Sequence, residues 1–482
     1  MPSGTSGSGF ARRLALLAAV VLASRVPFLW NGFGADADGW RVYLSARHFA
    51  QTGTYTVSRS LGFPLQEWTS ALLWRGGAPA LNGATALMSV SAVLLFASCL
   101  HALRAKDVLL PSLAFAAVPV LWVASVSSMD YLWALAFLCA ALLCALRGRA
   151  PAAGLAVALS IGCRPTGIFL LPAILILLAN RGVPARAIAR SAIIAAAGGA
   201  LFYLPVLLYY GPQLGETLDV QRLPALKILA EGTIGVWGPV GLAGLAVAIG
   251  AALYRAARPS SPSSEPSIPP LGGRGVLRGC AVAVLGNLAL FLYHPVESAY
   301  LIPCLPFVFL GLGMICSRSA LRFACLLICV SPFVGIDAGG RPVPGLLLRD
   351  RATRIYDLKD ARHVLDRLPT LPHNSVLVVG SARMPVLKAM LPAGATQGDS
   401  FWPPASNRAP ACAGEVTLFS RAGTEDLTAF AAGGRALYYL ADVRAENLRK
   451  SGVDLAASGT VLSGRSRTER AAGSGPAAPP VR

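Results

Sequence analysis

Charge is what this chain has least of. Only 13% of its 482 residues are Asp, Glu, Lys or Arg, while 55% are hydrophobic; soluble domains carry about 25% charged residues. A soluble protein is excluded, and the long apolar runs along most of the length point to a polytopic membrane protein. Acid is scarcer than base, 23 Asp and Glu against 42 Lys and Arg, for a formal charge of +19. The basic residues fall in short clusters between apolar runs, as the positive-inside rule requires, so nucleic acid is set aside as a partner. Polar thiols are almost absent as well. Nine of the ten cysteines, among them Cys139, Cys144, Cys325 and Cys329, lie within or beside apolar segments, and only Cys412 sits in a polar stretch. That excludes an internal disulfide framework, and no CxxC or Cys/His spacing suits a zinc site.

What is present is a series of hydrophobic segments separated by arginines. Residues 1–9 form a small-residue tail that reads as disordered. Arg12-Arg13 precede the apolar run Leu14 to Trp30, an uncleaved first span whose N-terminus the arginines hold in the cytoplasm. Ala84 to Leu103 then runs inward, Leu109 to Val126 outward, and Tyr131 to Leu146 inward to Arg147 and Arg149. Pro151 to Ala179 is broken at Cys163-Arg-Pro-Thr166, and two half-helices meeting at Arg164 are expected. Each half is about 12 to 15 residues, about 18 to 22 Å, short of the roughly 30 Å hydrocarbon thickness. Ile188 to Tyr210, Ile234 to Tyr254, Leu277 to Tyr293, Tyr300 to Cys316 and Phe323 to Gly335 complete a predicted α-helical polytopic membrane protein of about eleven transmembrane helices.

The transmembrane domain is expected over residues 10–338, with an external loop at 31–83 and a flexible cytoplasmic linker at 255–276, rich in Pro and Ser from Pro259 to Pro270. Another external loop, Gly211 to Thr233, carries Glu216, Asp219 and Glu231. After Arg341 the composition changes: an amphipathic helix at Tyr356 to Leu368 and β-type runs at Ser375 to Gly380 and Ala436 to Leu440 predict a small C-terminal extracytoplasmic α/β domain over 339–470. Residues 471–482 read as a disordered tail.

The loop 31–83 gathers acid, base and aromatic groups more densely than any other stretch. It holds Asp36 and Asp38 just beyond the first span, then Tyr43, Arg47, His48, Tyr55, Arg59, Glu67 and Trp68. Carboxylates held near a membrane surface suit proton removal from a hydroxyl. The alternatives are structural: a solvated turn for Asp36 and Asp38, a helix N-cap for Asp130, pairing of Glu67 with Arg59 or Arg75, carbonyl capping by Arg164, and an interfacial aromatic for Tyr300.

Five landmarks then coincide: the Asp36/Asp38 pair, the segment Tyr43-Leu-Ser-Ala-Arg47 to Gly53-Thr-Tyr55, Glu67-Trp-Thr-Ser70, the Arg164-Pro-Thr-Gly167 break, and Tyr300-Leu-Ile-Pro303. In this arrangement the chain resembles the GT-C superfamily of integral membrane glycosyltransferases over about two thirds of its length. The resemblance implies transfer of a sugar from a polyprenyl-phosphate donor to a hydroxyl of a glycan, lipid or protein acceptor on the non-cytoplasmic face. It makes Asp36 the expected base, with Asp38 orienting the acceptor or joining Asp36 around a divalent metal, Mg or Mn. Departure of a lipid phosphate builds negative charge, for which Arg164 is the first partner and His294 the second. Many relatives place Arg immediately before Tyr-Leu-x-Pro, where this chain has Ala299. Tyr43, Arg47, Glu67, Asp130, Glu297 and Tyr300 complete the expected substrate-binding set. An Ala/Arg-rich, Lys-poor composition suggests a bacterial cytoplasmic membrane. A lipid-linked-sugar flippase, which also uses broken helices, and a non-catalytic relative in polysaccharide assembly are the alternatives; the acidic-aromatic loop and the lack of a duplicated half favour the enzyme.

Overall fold

The computed structural model describes residues 6–211, 223–257, 267–268, 273–337, 339–380, 382–391, 411–413, 416–419, 436–440 and 461–462. Residues 1–5, the expected tail at 471–482, Glu216, Asp219 and Arg222, and most of the expected linker lie outside them. Helix α1 spans Ser6–Arg25, α2 Ala37–Thr52, α3 Pro64–Leu73, α4 Gly77–Ala102, α5 Leu109–Ala117, α6 Pro119–Ser125, α7 Tyr131–Leu146, α8 Ala150–Cys163 and α9 Leu171–Asn180. There follow α10 Ala185–Tyr210, α11 Ala225–Gly232, α12 Ile234–Ala257, α13 Gly273–Tyr293, α14 Leu305–Ile315 and α15 Arg318–Val330. Strands β1 Val334–Ile336 and β2 Pro342–Pro344 lead to α16 Leu346–Arg367, β3 Val376–Val378, α17 Met384–Met390, β4 Ala411–Ala413, β5 Val416–Phe419, β6 Leu437–Leu440 and β7 Val461–Leu462.

The chain divides into two compact units, Met1–Phe33 with Ser60–Ala352, and Gly34–Arg59 with Thr353–Arg482. The first is a helical polytopic membrane protein in build. Among the described residues, five segments are long and apolar enough to cross a membrane: Pro64–Ala102, Ala185–Tyr210, Ile234–Ala257, Arg274–Tyr293 and Ser298–Ile315. Tyr131–Leu146, Ala150–Cys163 and Pro165–Asn180 are shorter apolar helices.

The turns expected on one side of the membrane do meet at one end of this unit. Asp107, after α4, accepts hydrogen bonds from Arg318 and Arg322 at the start of α15 (2.7–2.9 Å), which hold its carboxyl well below the usual range. The Lys106 N–H donates to the Ser267 carbonyl (2.9 Å). Chain reversal at Arg147–Arg149, Arg181–Pro184 and Ser317 likewise follows the basic clusters.

The break in the short pair arises as the sequence implies. Pro165 lacks an N–H and disfavours helical backbone in the residue before it; Arg164 is extended (φ −155°, ψ 117°) and its N–H closes α8 on the Ser160 carbonyl (2.8 Å). A 3₁₀ turn, Pro165–Leu170, leads into α9. Small residues then let α8 approach α10. Gly154, Ala158 and Gly162 recur every fourth residue, and a Cβ on Gly154 would meet the Ser191 carbonyl oxygen and lie 3.0 Å from its Cα. Such small-residue seams replace the hydrophobic driving force that lipid does not supply. On the other face of α8, the Ser160 hydroxyl donates to the Ala134 carbonyl of α7 (3.0 Å).

Arg25 closes α1 in a buried setting. Its guanidinium donates to Ser125 Oγ (2.9 Å), Ser24 Oγ (2.8 Å) and the Ala116 carbonyl and stacks 4.1 Å from the Trp122 ring. Ala116 lies at the end of α5, where nonhelical Val118 and Pro119 interrupt the helix, so the arginine caps a carbonyl freed by the break. Arg25 thus ties the first helix to the α5–α6 corner.

The second unit is α/β. Its sheet has the order β4-β5-β3-β6-β7, parallel throughout except for antiparallel β4–β5. Val376, Leu377 and Val378 are all buried, the pattern of a central strand covered on both faces. Helix α2 belongs here: Arg47 Nη2 donates to the Lys388 carbonyl of α17 (3.4 Å). Gly53 ends α2 in the left-handed region (φ 71°), where a side chain would be strained.

Four expectations change. Helix α1 already runs at Ser6, so the N-terminal tail is not disordered through Gly9. The loop 31–83 is largely helical, with α2, α3 and the start of α4 inside it. Ser267 and Ile268 of the supposed flexible linker are packed, Ile268 donating its N–H to the Gly313 carbonyl (2.9 Å) with its side chain 2% exposed. The final span is shifted: α15 ends at Val330, and Val334–Ile336 is a strand, because Pro332 and Gly335 do not sustain a helix.

The α8–α10 seam gives a test. Gly154→Val should lower the thermal stability of the detergent-solubilised protein by about 1–3 kcal/mol, since the clash is with backbone and outweighs any propensity gain. An unchanged melting temperature would show that the two backbones do not approach so closely.

Candidate functional site

Helix lengths bring the main polar cluster together. The turn after α7 folds α8 back along it, and the two run about 24 and 21 Å. The start of α7 and the end of α8 are therefore neighbours, and with them Asp130 and Arg164. Arg164 Nη1 donates to Asp130 Oδ2 at 2.6 Å, with Arg164 7% exposed and Asp130 fully buried. Asp130 stands at the N-cap position of α7, but its side chain makes no cap hydrogen bond; the helix-cap reading gives way to an ion pair. In a low-dielectric setting the pairing of these two charges decides their stability.

Aromatic rings frame the guanidinium. Its carbon lies 4.1 Å from the Tyr131 ring centroid, 5.0 Å from Tyr300 and 5.8 Å from Phe63. Tyr300 comes from the 3₁₀ segment Ser298–Cys304 that follows α13. His294, in the same turn, stacks on Tyr300 at 5.7 Å and 18°. Glu297, half-buried, accepts the Tyr131 hydroxyl proton at 2.7 Å. The expected residues Asp130, Arg164, Glu297 and Tyr300 are thus brought into one network, with His294 at its edge. Glu67, 1% exposed, accepts the Phe63 N–H at 3.2 Å and so caps its own helix.

A clamp fixes the turn that carries Asp130. Asn82 Nδ2 donates to the Leu29 and Gly32 carbonyls (2.9 and 2.8 Å), while its Oδ1 accepts from the Ser128 hydroxyl (2.8 Å). The Ser128 N–H donates to the Phe33 carbonyl (2.8 Å). Asn82, Phe63 and Tyr131 are the functional neighbours that sequence reading missed. Tyr131 marked only the start of a span, and its place directly after Asp130 was the available signal.

The remaining expected residues lie in the α/β unit. Asp36 Oδ1 accepts the Asp38 N–H (2.8 Å), capping α2. Asp38 pairs with Arg41 (2.7 Å) and Arg59 (3.5 Å). Asp36 is exposed, yet crowding by protein atoms, and then the Asp38 charge, push its carboxyl above the usual range, against the opposing pull of the Asp38 N–H, Arg59 and Arg41. A raised pKa makes a stronger base. Arg47 is buried at the α2–α17 contact, its guanidinium carbon 5.8 Å from the Tyr43 ring, an arrangement of packing residues. Within this unit the Asp38 carboxylate faces two guanidiniums and the Asp36 carboxylate caps a helix, so a divalent cation at the expected pair would draw further oxygen ligands from elsewhere.

The electrostatics predict opposite shifts. In carbodiimide labelling of Asp36 followed by mass spectrometry across pH, Asp38→Asn should move the midpoint down and Arg59→Gln should move it up, since one removes a like charge and the other an opposite one. Shifts of the same sign in both variants would refute this account of Asp36.

No protein-family model matches the chain, and no curated protein matches it. Among solved structures, the chain is similar to the crystal structure of ArnT from Cupriavidus metallidurans in the apo state, at 13% sequence identity, covering 80% of this chain and 85% of that one, with a TM-score of 0.40. A likeness at that score fixes neither fold nor activity.

Proposed function

We propose that the chain is a GT-C-type membrane glycosyltransferase that moves a sugar from a polyprenyl-phosphate donor to an acceptor hydroxyl, on the extracytoplasmic face of a bacterial cytoplasmic membrane. Arg164 carries the reading. Among the described residues this buried guanidinium donates one hydrogen bond, from Nη1 to Asp130, while arginine offers five N–H donors in a fixed fork. Ionisable groups at membrane depth are costly and usually purposeful. A planar fork with donors to spare suits bidentate capture of a phosphate.

The chemistry assigns each group a task. The acceptor oxygen forms a bond to the anomeric carbon as the bond from that carbon to the phosphate oxygen breaks, and that electron pair leaves with the polyprenyl phosphate. Asp36 takes the acceptor proton, for which its raised pKa prepares it. Arg164 meets the charge that grows on the departing phosphate. Inversion at the anomeric carbon follows from a single displacement. The acceptor, whether lipid, glycan or protein, and the identity of the sugar are left to the assay.

The test is sugar transfer by purified protein in lipid, with labelled polyprenyl-phosphate sugars and candidate hydroxyl acceptors. Asp36→Asn should cut turnover by about 10² to 10⁴ with donor affinity retained. Arg164→Lys, which keeps the charge but loses the fork, should weaken donor binding by about tenfold or more. Near-normal turnover in the first variant removes Asp36 as the base, and unchanged donor affinity in the second rejects the phosphate role. Donor movement across liposomes without transfer to any acceptor would favour a flippase.

A further inference from the structure

Tyr131 touches both Arg164 and the half-buried Glu297. Its ring face lies 4.1 Å from the Arg164 guanidinium carbon, and its hydroxyl donates to Glu297 Oε2 at 2.7 Å. A phenol is rigid and has two side-chain torsions, so it holds what it touches at a fixed spacing and at low entropic cost. Those torsions are themselves constrained. Tyr131 is 4% exposed, opens α7 next to Asp130, and packs its ring 6.4 Å from that of Tyr300, which covers Arg164 in turn. Two consecutive residues therefore grip one cation, Asp130 at an edge and Tyr131 on a face.

We infer that Tyr131 is a positioning residue of the proposed transfer: it sets the Glu297 carboxylate at a fixed distance from the Arg164 cation, so that the phosphate and the sugar of one donor are read together. The inference rests on Arg164 as the phosphate partner and adds a ligand for the sugar. A carboxylate accepts hydrogen bonds from sugar hydroxyls, and charge-assisted bonds of that kind are the stronger ones. A fixed spacing between a cation and a carboxylate distinguishes a phosphate with a hydroxylated ring attached from a bare lipid phosphate. The segment bearing Glu297 is itself anchored from a second side, where the Ser298 hydroxyl donates to Glu231 of α11. The Glu297 carbonyl accepts the Tyr300 N–H (3.2 Å), so with the Tyr131 hydroxyl Glu297 is held at both its backbone and its side chain.

The experiment compares two probes on the full chain in lipid nanodiscs: polyprenyl phosphate alone and polyprenyl-phosphate hexoses. Tyr131→Phe keeps the ring and loses the hydroxyl. Affinity for the bare lipid phosphate should stay within about twofold, and affinity for at least one sugar-bearing lipid should fall about tenfold. Glu297→Gln should show the same selective loss, and the double variant should lose little beyond the more affected single variant, since both break one interaction. Tyr131→Ala, which also removes the ring, should weaken both probes. Fully additive losses in the double variant, or equal losses on the two probes in Tyr131→Phe, overturn the inference while leaving the phosphate role of Arg164 intact. Wild-type protein that binds neither probe overturns both this inference and the function on which it rests.

Discussion

A charged guanidinium inside a helical membrane unit has to find its counter-charge within the protein, and the Arg164–Asp130 pair is where this chain meets that demand. Removing either partner would strand the other in low dielectric, at a cost of about 3–5 kcal/mol. Much of the surrounding structure is arranged so that the pair can form. Pro165 ends α8 where Arg164 can leave the helix, and the lengths of α7 and α8 bring that end level with Asp130. Gly154 and its small neighbours seat α8 against α10, while the Ser160 hydroxyl registers it on α7. Asn82 and Ser128 hold the turn that presents Asp130. An ion pair that costs more than it returns in isolation is thus supported by backbone geometry on three sides.

The two ends of the membrane unit use charge differently. At one end Asp107 lies between Arg318 and Arg322, which are substantially exposed, their side chains 44% and 49% accessible; solvent screens such pairs, and each is worth little. At the other end Arg164, Asp130 and Tyr131 are removed from water and framed by rings, so each hydrogen bond there is electrostatically stronger. The asymmetry sets a buried, paired charge at one end of the bundle and solvent-screened pairs at the other.

Much of the helical unit was legible because its signals are local. The Cys163-Arg-Pro run announced a break, Tyr131 to Leu146 matched α7 residue for residue, and Ser375-Val-Leu-Val-Val contained the central strand β3. What escaped was set by partners distant in sequence. Asp130 looks like a helix cap until Arg164 arrives from 34 residues away. Ile268 sits among prolines and serines but finds a pocket beside Gly313. Helix α2 was hidden in a loop marked by its acid and aromatic density, and Arg47, one of the residues that suggested chemistry, is buried against its own unit. Asp36 is exposed and Asp38 partly so, and capping explains the position of the first without fixing its role. Density of functional groups was the less discriminating signal; an arginine placed beside a proline within an apolar run was the sharper one.

The charge balance of the cluster argues for where its effect would fall along the proposed reaction. Arg164 and Asp130 cancel, and Glu297 adds a negative charge, so the group exerts little long-range pull on an anionic lipid. Its attraction acts at contact, through N–H groups aimed at oxygens. A donor of the proposed kind is a phosphodiester with one negative charge, and its departing phosphate approaches two. Hydrogen bonds from the Arg164 fork to phosphate oxygens are charge-assisted, so in the proposed reaction they strengthen as the departing phosphate goes from one negative charge toward two. Stabilisation that grows as the bond breaks lowers the barrier, whereas equal binding of donor and transition state would not. Within the proposed reaction Asp130 lowers the net pull of Arg164 on both charge states alike, and its own part is to keep the buried guanidinium paired when no donor is bound.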